Sequence, residues 1–295
     1  MTAPAEQPPR PAGQVYDLSY RRYEGRRLGH ATRFLVIARY ALVAQWRQRA
    51  VKLFLLGALL VGGVTAAALG AMWAFSGRVG EVSQESAREL ERYAVTAALN
   101  AQWVPAFLLV LVCGAPSVAA DLKAGAFQFH FARPVSVGHY VLGRMVGATA
   151  WAALFTFGTL GVLCVERAAI SNDVSALLRL LAVGAAAAGM RVVTLGAVAL
   201  GCSSLTRRVG LAQAMFAAVV VGSGMFTSIV AAQTNKEWLE AASVMGGSRM
   251  LAEQLLGGAA RGPAVAASLG SFALWTGLFL ALTAARLRSV EVVKG

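Results

Sequence analysis

The sequence predicts an all-α polytopic membrane protein, with six transmembrane helices preceded by an amphipathic interfacial helix. Three observations predict it. The 295 residues are 57% hydrophobic and only 14% charged, where soluble domains carry about a quarter charged residues. Apolar runs long enough to cross a bilayer recur along the whole chain. Lys and Arg border those runs instead of forming patches with interleaved aromatics. The net charge of +13 therefore reads as membrane topology, and no nucleic-acid partner is expected.

Residues 1–29 read as a cytoplasmic N-terminal tail, partly disordered. Four of the eight prolines fall within the first 14 residues, a composition that cannot pack a core. No apolar segment follows at signal-peptide distance. The aromatic and basic mixture from Val15 to Arg27 suits headgroups or a partner protein. Over 30–52 the pattern is helical. Phe34, Leu35, Ile37, Ala38, Ala41, Leu42 and Ala44 share a broad face, with Arg33, Arg39 and Arg47 opposite. A basic amphipathic helix before a span is expected to lie in the headgroup plane, with Trp46 at interfacial depth; the alternative is a helix packed on the protein itself.

Residues 53–285 hold the six spans. The runs 53–77, 93–120, 145–165, 209–235 and 262–285 contain no charged residue, and each exceeds the roughly 20 residues that a 30 Å hydrocarbon core requires. The run 180–206 is interrupted by Arg191. We read it as one continuous span with a charge near mid-depth, since two re-entrant half-helices would break the charge alternation between loops. Eighteen of the 27 Lys and Arg lie in the N-terminal region, the 121–144 loop, the Arg207-Arg208 link and the tail 286–295. The opposite loops carry nine acids against eight bases. Both termini and the 121–144 loop are thus expected in the cytoplasm, in a cell inner membrane.

Two segments on the outer side are expected to be helical. Residues 83–92 read as a polar extension of the second span. Within 234–261, Thr234 and Glu237 form a capping-box pattern opening a short helix that Gly246-Gly247 ends, and 248–256 forms a second. These two either meet substrate or form a lid on the spans.

Several enzymatic readings fail on residue type. There is no Gly-Lys-Ser/Thr phosphate loop. Ser223 between Gly222 and Gly224 lacks the preceding glycine of an intramembrane serine protease, since Val221 stands there, and no span carries a His or carboxylate to activate it. Close helix packing explains those glycines better. Cys113, Cys164 and Cys202 are scattered and odd in number, so they read as small apolar residues without a disulfide or metal role. Gly143-x-x-x-Gly147 suits a close helix contact, including a dimer seam. Arg191 is the one ionisable group at depth and must face protein or water. Its partners would be carbonyls, hydroxyls such as Thr156 or Thr159, or an anionic group of a substrate. A structural role and a place on the substrate path are both open.

The 121–144 insert has a turn signal, a helix-breaking proline and flanking positive charge, features suited to presenting a short helix to a soluble partner. Asp121, Gly125, Phe127, the run Arg133-Pro134-Val135-Ser136 and Leu142-Gly143-Arg144 resemble the coupling segment of ABC-2 type (type II exporter) ABC transporter permeases. The resemblance covers roughly 30–290. It implies a permease subunit that dimerises, as a homo- or heterodimer, and docks on a separate ABC ATPase. ATP and Mg²⁺ would be bound by that ATPase, with no cofactor and no catalytic or metal-binding residue in this chain. By the same resemblance, Phe127 and Phe129 lie on a docking helix whose ends Gly125 and Pro134 set. Asp121 and Arg133 would orient it, and Tyr140 and Arg144 would anchor the return to the third span. The alternative is a six-span scaffold or assembly factor that recruits a soluble partner without transport.

Overall fold

The computed structural model describes residues 29, 32–76, 84–127, 136–170, 174–256 and 262–292. Among them the chain is helical and contains no strand. In chain order the helices are α1 (Arg33–Trp46), α2 (Arg49–Ser76), α3 (Gln84–Cys113), α4 (Ser117–Ala124), α5 (Val137–Ile170), α6 (Val174–Ser204), α7 (Val209–Thr234), α8 (Gly246–Leu256) and α9 (Gly262–Val292). A 3-10 turn, Glu237–Ala242, precedes α8. Six of these, α2, α3, α5, α6, α7 and α9, are long and apolar enough to cross a membrane, and each overlaps one expected span, although α3 stops at Cys113 and α4 takes up the end of the run expected to reach residue 120.

The α6 helix is the axis of the bundle. From Arg191 to Ser204 every residue but Val193 is buried, because Gly196, Ala197, Ala199 and Gly201 let neighbours approach on all sides. It packs on α5, α9, α7 and α3. The main apolar cluster runs from Ala106 and Val110 of α3 through Phe155 of α5 and Leu195 of α6 to Phe216 of α7. Phe107 and Phe216 stack at 5.4 Å. The span containing Arg191 is one uninterrupted helix, Val174–Ser204, which removes the half-helix reading.

Other boundaries also depart from expectation. The helix expected over 30–52 ends at Trp46, a turn at Arg47 follows, and α2 begins at Arg49. The basic residues Arg49 and Lys52 thus start the first span, where long cationic side chains reach water from within a helix. The tail expected from 286 continues α9 as helix to Val292. The capping box at Thr234 does not form. That residue is still inside α7, its hydroxyl donating to the Val230 carbonyl at 2.7 Å, and the helix closes on Asn235 in the left-handed conformation at φ 54°. Gly246 and Gly247 open α8 instead of closing its predecessor, since a Cβ at Gly246 would collide with the Glu240 carbonyl. The polar stretch from Gln84 is the first part of α3, as expected. The N-terminal tail lies outside the described residues, apart from Gly29.

The α1 helix packs along α5, burying Ala38, Ala41 and Gln45 while Leu35 and Ala44 remain exposed. Gly143 and Gly147 form this seam. A Cβ at either would sit 2.7 Å from the Cβ of Ile37 or Ala41, respectively, well inside van der Waals contact. The expected close helix contact is therefore made within the chain, between α1 and α5, and not as a dimer seam at these glycines. Trp46 stacks on Trp151 of α5 at 5.1 Å, fixing the end of α1.

Candidate functional site

At one end of the bundle, α3, α4 and α5 build a polar corner around Asp121. The α3–α4 turn leaves backbone groups that other helices satisfy. Gln45 of α1 donates to the Cys113 carbonyl and Gln213 of α7 to the Leu111 carbonyl, each at 3.3 Å. The Ser203 hydroxyl of α6 accepts from the Val118 and Ala119 amides at 3.0 and 2.9 Å. Ser117 and Ala120 donate to Gly114 and Pro116 carbonyls. Each amide of the first turn of α4 is thereby accounted for, and α4 is locked to α6.

The other end of α4 closes on Gly125 at φ 64°, whose amide donates to the Asp121 carbonyl. This left-handed position suits glycine, which has no Cβ to clash there. The chain turns so that Phe127 is buried against Tyr140, ring centroids 5.2 Å apart. Val118, Phe127, Tyr140, Ala148, Leu200 and Leu287 form one apolar cluster joining α4, α5, α6 and α9. Above it, the Tyr140 hydroxyl donates to Asp121 Oδ2 at 2.6 Å. Arg144 makes an ion pair with the same oxygen, and its guanidinium lies over the Tyr140 ring at 5.6 Å. Ser136 starts α5, its Oγ accepting from the His139 amide at 3.4 Å and lying 2.5 Å from His139 Nδ1.

The structure thus brings together Asp121, Gly125, Phe127, Tyr140 and Arg144 out of the residues singled out in the sequence. Phe129, Arg133 and Pro134 lie outside the described residues. One expectation changes: Phe127 is 3% exposed and holds the turn from inside, so it offers no docking surface as placed. Among the described residues of this corner, Ala120, Lys123, Ala124, Gly125, Ser136 and Gly138 are exposed. Sequence reasoning missed Ser203, Gln45 and Gln213. Their signal was a polar side chain inside or beside an apolar run, where an unmet hydrogen bond is costly.

Arg191 lies elsewhere. It precedes Ser203 by twelve residues on α6, about 18 Å along the helix axis, and is 2% exposed. Its Nε donates to Ser248 Oγ of α8 at 3.2 Å. The Thr156 and Thr159 hydroxyls instead donate to carbonyls of their own helix. A cavity of about 550 Å³ opens beside Arg191, lined by α3, α7, the 3-10 turn and α8. Ser223 Oγ donates to the Val220 carbonyl at 3.0 Å and accepts from the Val244 amide at 3.4 Å, so it ties α7 to this region. The flanking Gly222 and Gly224 are not packing contacts as expected: a Cβ on either would meet no atom within 4 Å. Arg179 closes the end of α8, donating to the Leu255 and Leu256 carbonyls at 2.6 and 3.1 Å.

Cys113 and Cys202 are buried, Cys164 is half-buried, and all three are free. No group of three potential metal ligands occurs among the described residues. Comparison with known proteins finds no matching family model and no matching curated sequence.

Proposed function

We propose that the chain is the membrane-spanning subunit of an ATP-driven exporter of the ABC-2 type, working with a separate ATPase. One observation carries the reading. The residues that resemble a coupling segment converge on one oxygen atom, Asp121 Oδ2, which receives both Tyr140 and Arg144 of α5. The buried Tyr140 and the half-buried Arg144 hold the α4 end of the loop against a spanning helix, while Ser203 holds its start on α6. Such a corner transmits force. A push on the exposed face at Lys123 and Ala124 moves α4 as a unit and, through these bonds, moves α5 and α6.

In this reading an ATPase docks on the α4–α5 connection from the cytoplasm, and its closure tilts α5 and α6 against α7. Transport of this kind needs a second permease subunit, and the bilayer-facing residues of α2, α7 and α9 supply candidate surfaces for it. The test is copurification. The tagged chain, expressed with its genomic neighbours and extracted in mild detergent, is expected to bring down a protein with a phosphate-binding Gly-Lys-Ser/Thr loop. Recovery of the chain alone, or with a soluble partner lacking that loop, sinks the transport reading. The second outcome favours a membrane scaffold.

A further inference from the structure

The cavity beside Arg191 is mostly apolar at one wall and charged at the other. Trp103, Val220, Val221, Met225, Ile229 and Met245 form the apolar wall. Val221, Met225 and Ile229 are also exposed on the lateral surface of α7. The mouth of the cavity therefore opens sideways, along a helix long and apolar enough to lie in lipid. The polar wall holds Arg191, Arg249, Glu240 and Ser243. Arg249 is engaged by Glu240 and, from behind, by Glu253 at 3.5 Å, so the Glu240 carboxylate that lines the cavity is paired. At the other end the buried Arg191 guanidinium borders the apolar wall, positioned by Ser248. Gly224 lies at the rim between the two walls, where its missing side chain leaves open space.

Burying a guanidinium in a spanning helix is costly, and such residues are retained where they face a cavity or a partner. The volume is in the range of small-ligand sites, about 300–1,000 Å³. A lateral mouth admits molecules already dissolved in the bilayer. We infer that the cavity binds a single-chain amphiphile with an anionic headgroup, chain along α7 and headgroup at Arg191. This rests on the export reading only for the statement that the amphiphile is cargo; binding itself does not depend on an ATPase. A resident bilayer lipid and a transported amphiphile share this chemistry, and they differ in whether turnover depletes the bound molecule.

The experiment is equilibrium binding of radiolabelled dodecyl phosphate and dodecanol to the full chain in nanodiscs of zwitterionic lipid. The wild type is expected to bind the phosphate at least tenfold more tightly than the alcohol. Arg191→Met is expected to abolish that preference, a change of about 1.4 kcal/mol for each factor of ten, while Arg191→Lys keeps part of it. Gly224→Leu fills the rim without touching the charge and is expected to weaken both ligands alike. It also keeps the test decisive if Arg191→Met fails to fold. Equal binding of the two amphiphiles by the wild type, or a preference that survives in Arg191→Met, or unchanged binding in Gly224→Leu, overturns the inference. With the ATPase partner present, loss of the bound phosphate amphiphile on adding ATP marks it as cargo, and retention marks a resident lipid. A chain that binds the phosphate but recovers no ATPase keeps the site and loses only the transport reading.

Discussion

Removing the Asp121 carboxylate tests whether the α4–α5 corner is held as a unit. Asp121 and Arg144 side chains are 14% and 17% exposed, so solvent screens the pair little. Deleting one member of this half-buried pair leaves the other charge uncompensated, at a cost below the about 3–5 kcal/mol of a fully buried pair. Asp121→Ala also strips the acceptor from the Tyr140 hydroxyl. Arg144→Ala leaves that bond in place. The double variant removes both charges, so its cost should fall short of the sum of the singles by at least about 1 kcal/mol, well above the 0.3–0.5 kcal/mol scatter of independent sites. Tyr140→Phe keeps the ring on Phe127 and loses one hydrogen bond to a charged acceptor, about 1.5–3 kcal/mol. Reversible unfolding of the purified variants in mixed micelles, as the fraction of denaturing detergent rises, gives each value by tryptophan fluorescence. Additive costs for Asp121→Ala and Arg144→Ala would falsify the claim that these side chains act on each other.

Three further outcomes follow from the same geometry. Phe127→Ala empties a buried aromatic site, which costs about 3–5 kcal/mol; unfolding should come earlier and protease should cut the α4–α5 connection faster, whereas wild-type stability would mean that Phe127 is not packed as described. Gly143→Val places a Cβ 2.7 Å from both Ile37 Cβ and the Phe34 carbonyl, and overpacking of this kind costs about 1–3 kcal/mol; an unchanged melting temperature would contradict the α1–α5 seam. A phosphatase reporter that functions only outside the cytoplasm, fused after Gly295, should stay inactive if the basic loops face inward, and activity would reverse the proposed orientation.

The spans were legible in the sequence because an apolar run of bilayer length has few other uses, and Arg191 did not break its run since helix hydrogen bonds are indifferent to one charged side chain. Asp121, Tyr140 and Arg144 could be picked out, but not their convergence on a single oxygen, which depends on how α5 is rotated against α4. Burial of Phe127 was hidden for a related reason. A phenylalanine in a polar loop reads as exposed until Leu200 and Leu287, far away in sequence, arrive to cover it. Gly143 and Gly147 announced a close contact without naming its partner, which proves to be α1. The capping-box pattern at Thr234 misled because a local motif was read without α7, whose hydrogen bonding continues through that residue. Gly222 and Gly224 show the opposite error, small residues that border space instead of filling a seam.

The central claim is that the exposed face of α4 meets an ATPase, and site-specific photo-crosslinking measures that contact directly. A benzophenone amino acid at Ala124, exposed beside Gly125, is introduced into cells expressing the chain with its genomic neighbours, and adducts are identified by mass spectrometry. The same probe at Met225, exposed on the lateral face of α7, serves as the comparison. The account predicts an adduct from position 124 to a protein containing a Gly-Lys-Ser/Thr phosphate loop, and no such adduct from position 225. Adducts from position 124 to lipid alone, or to a protein without that loop, would contradict it.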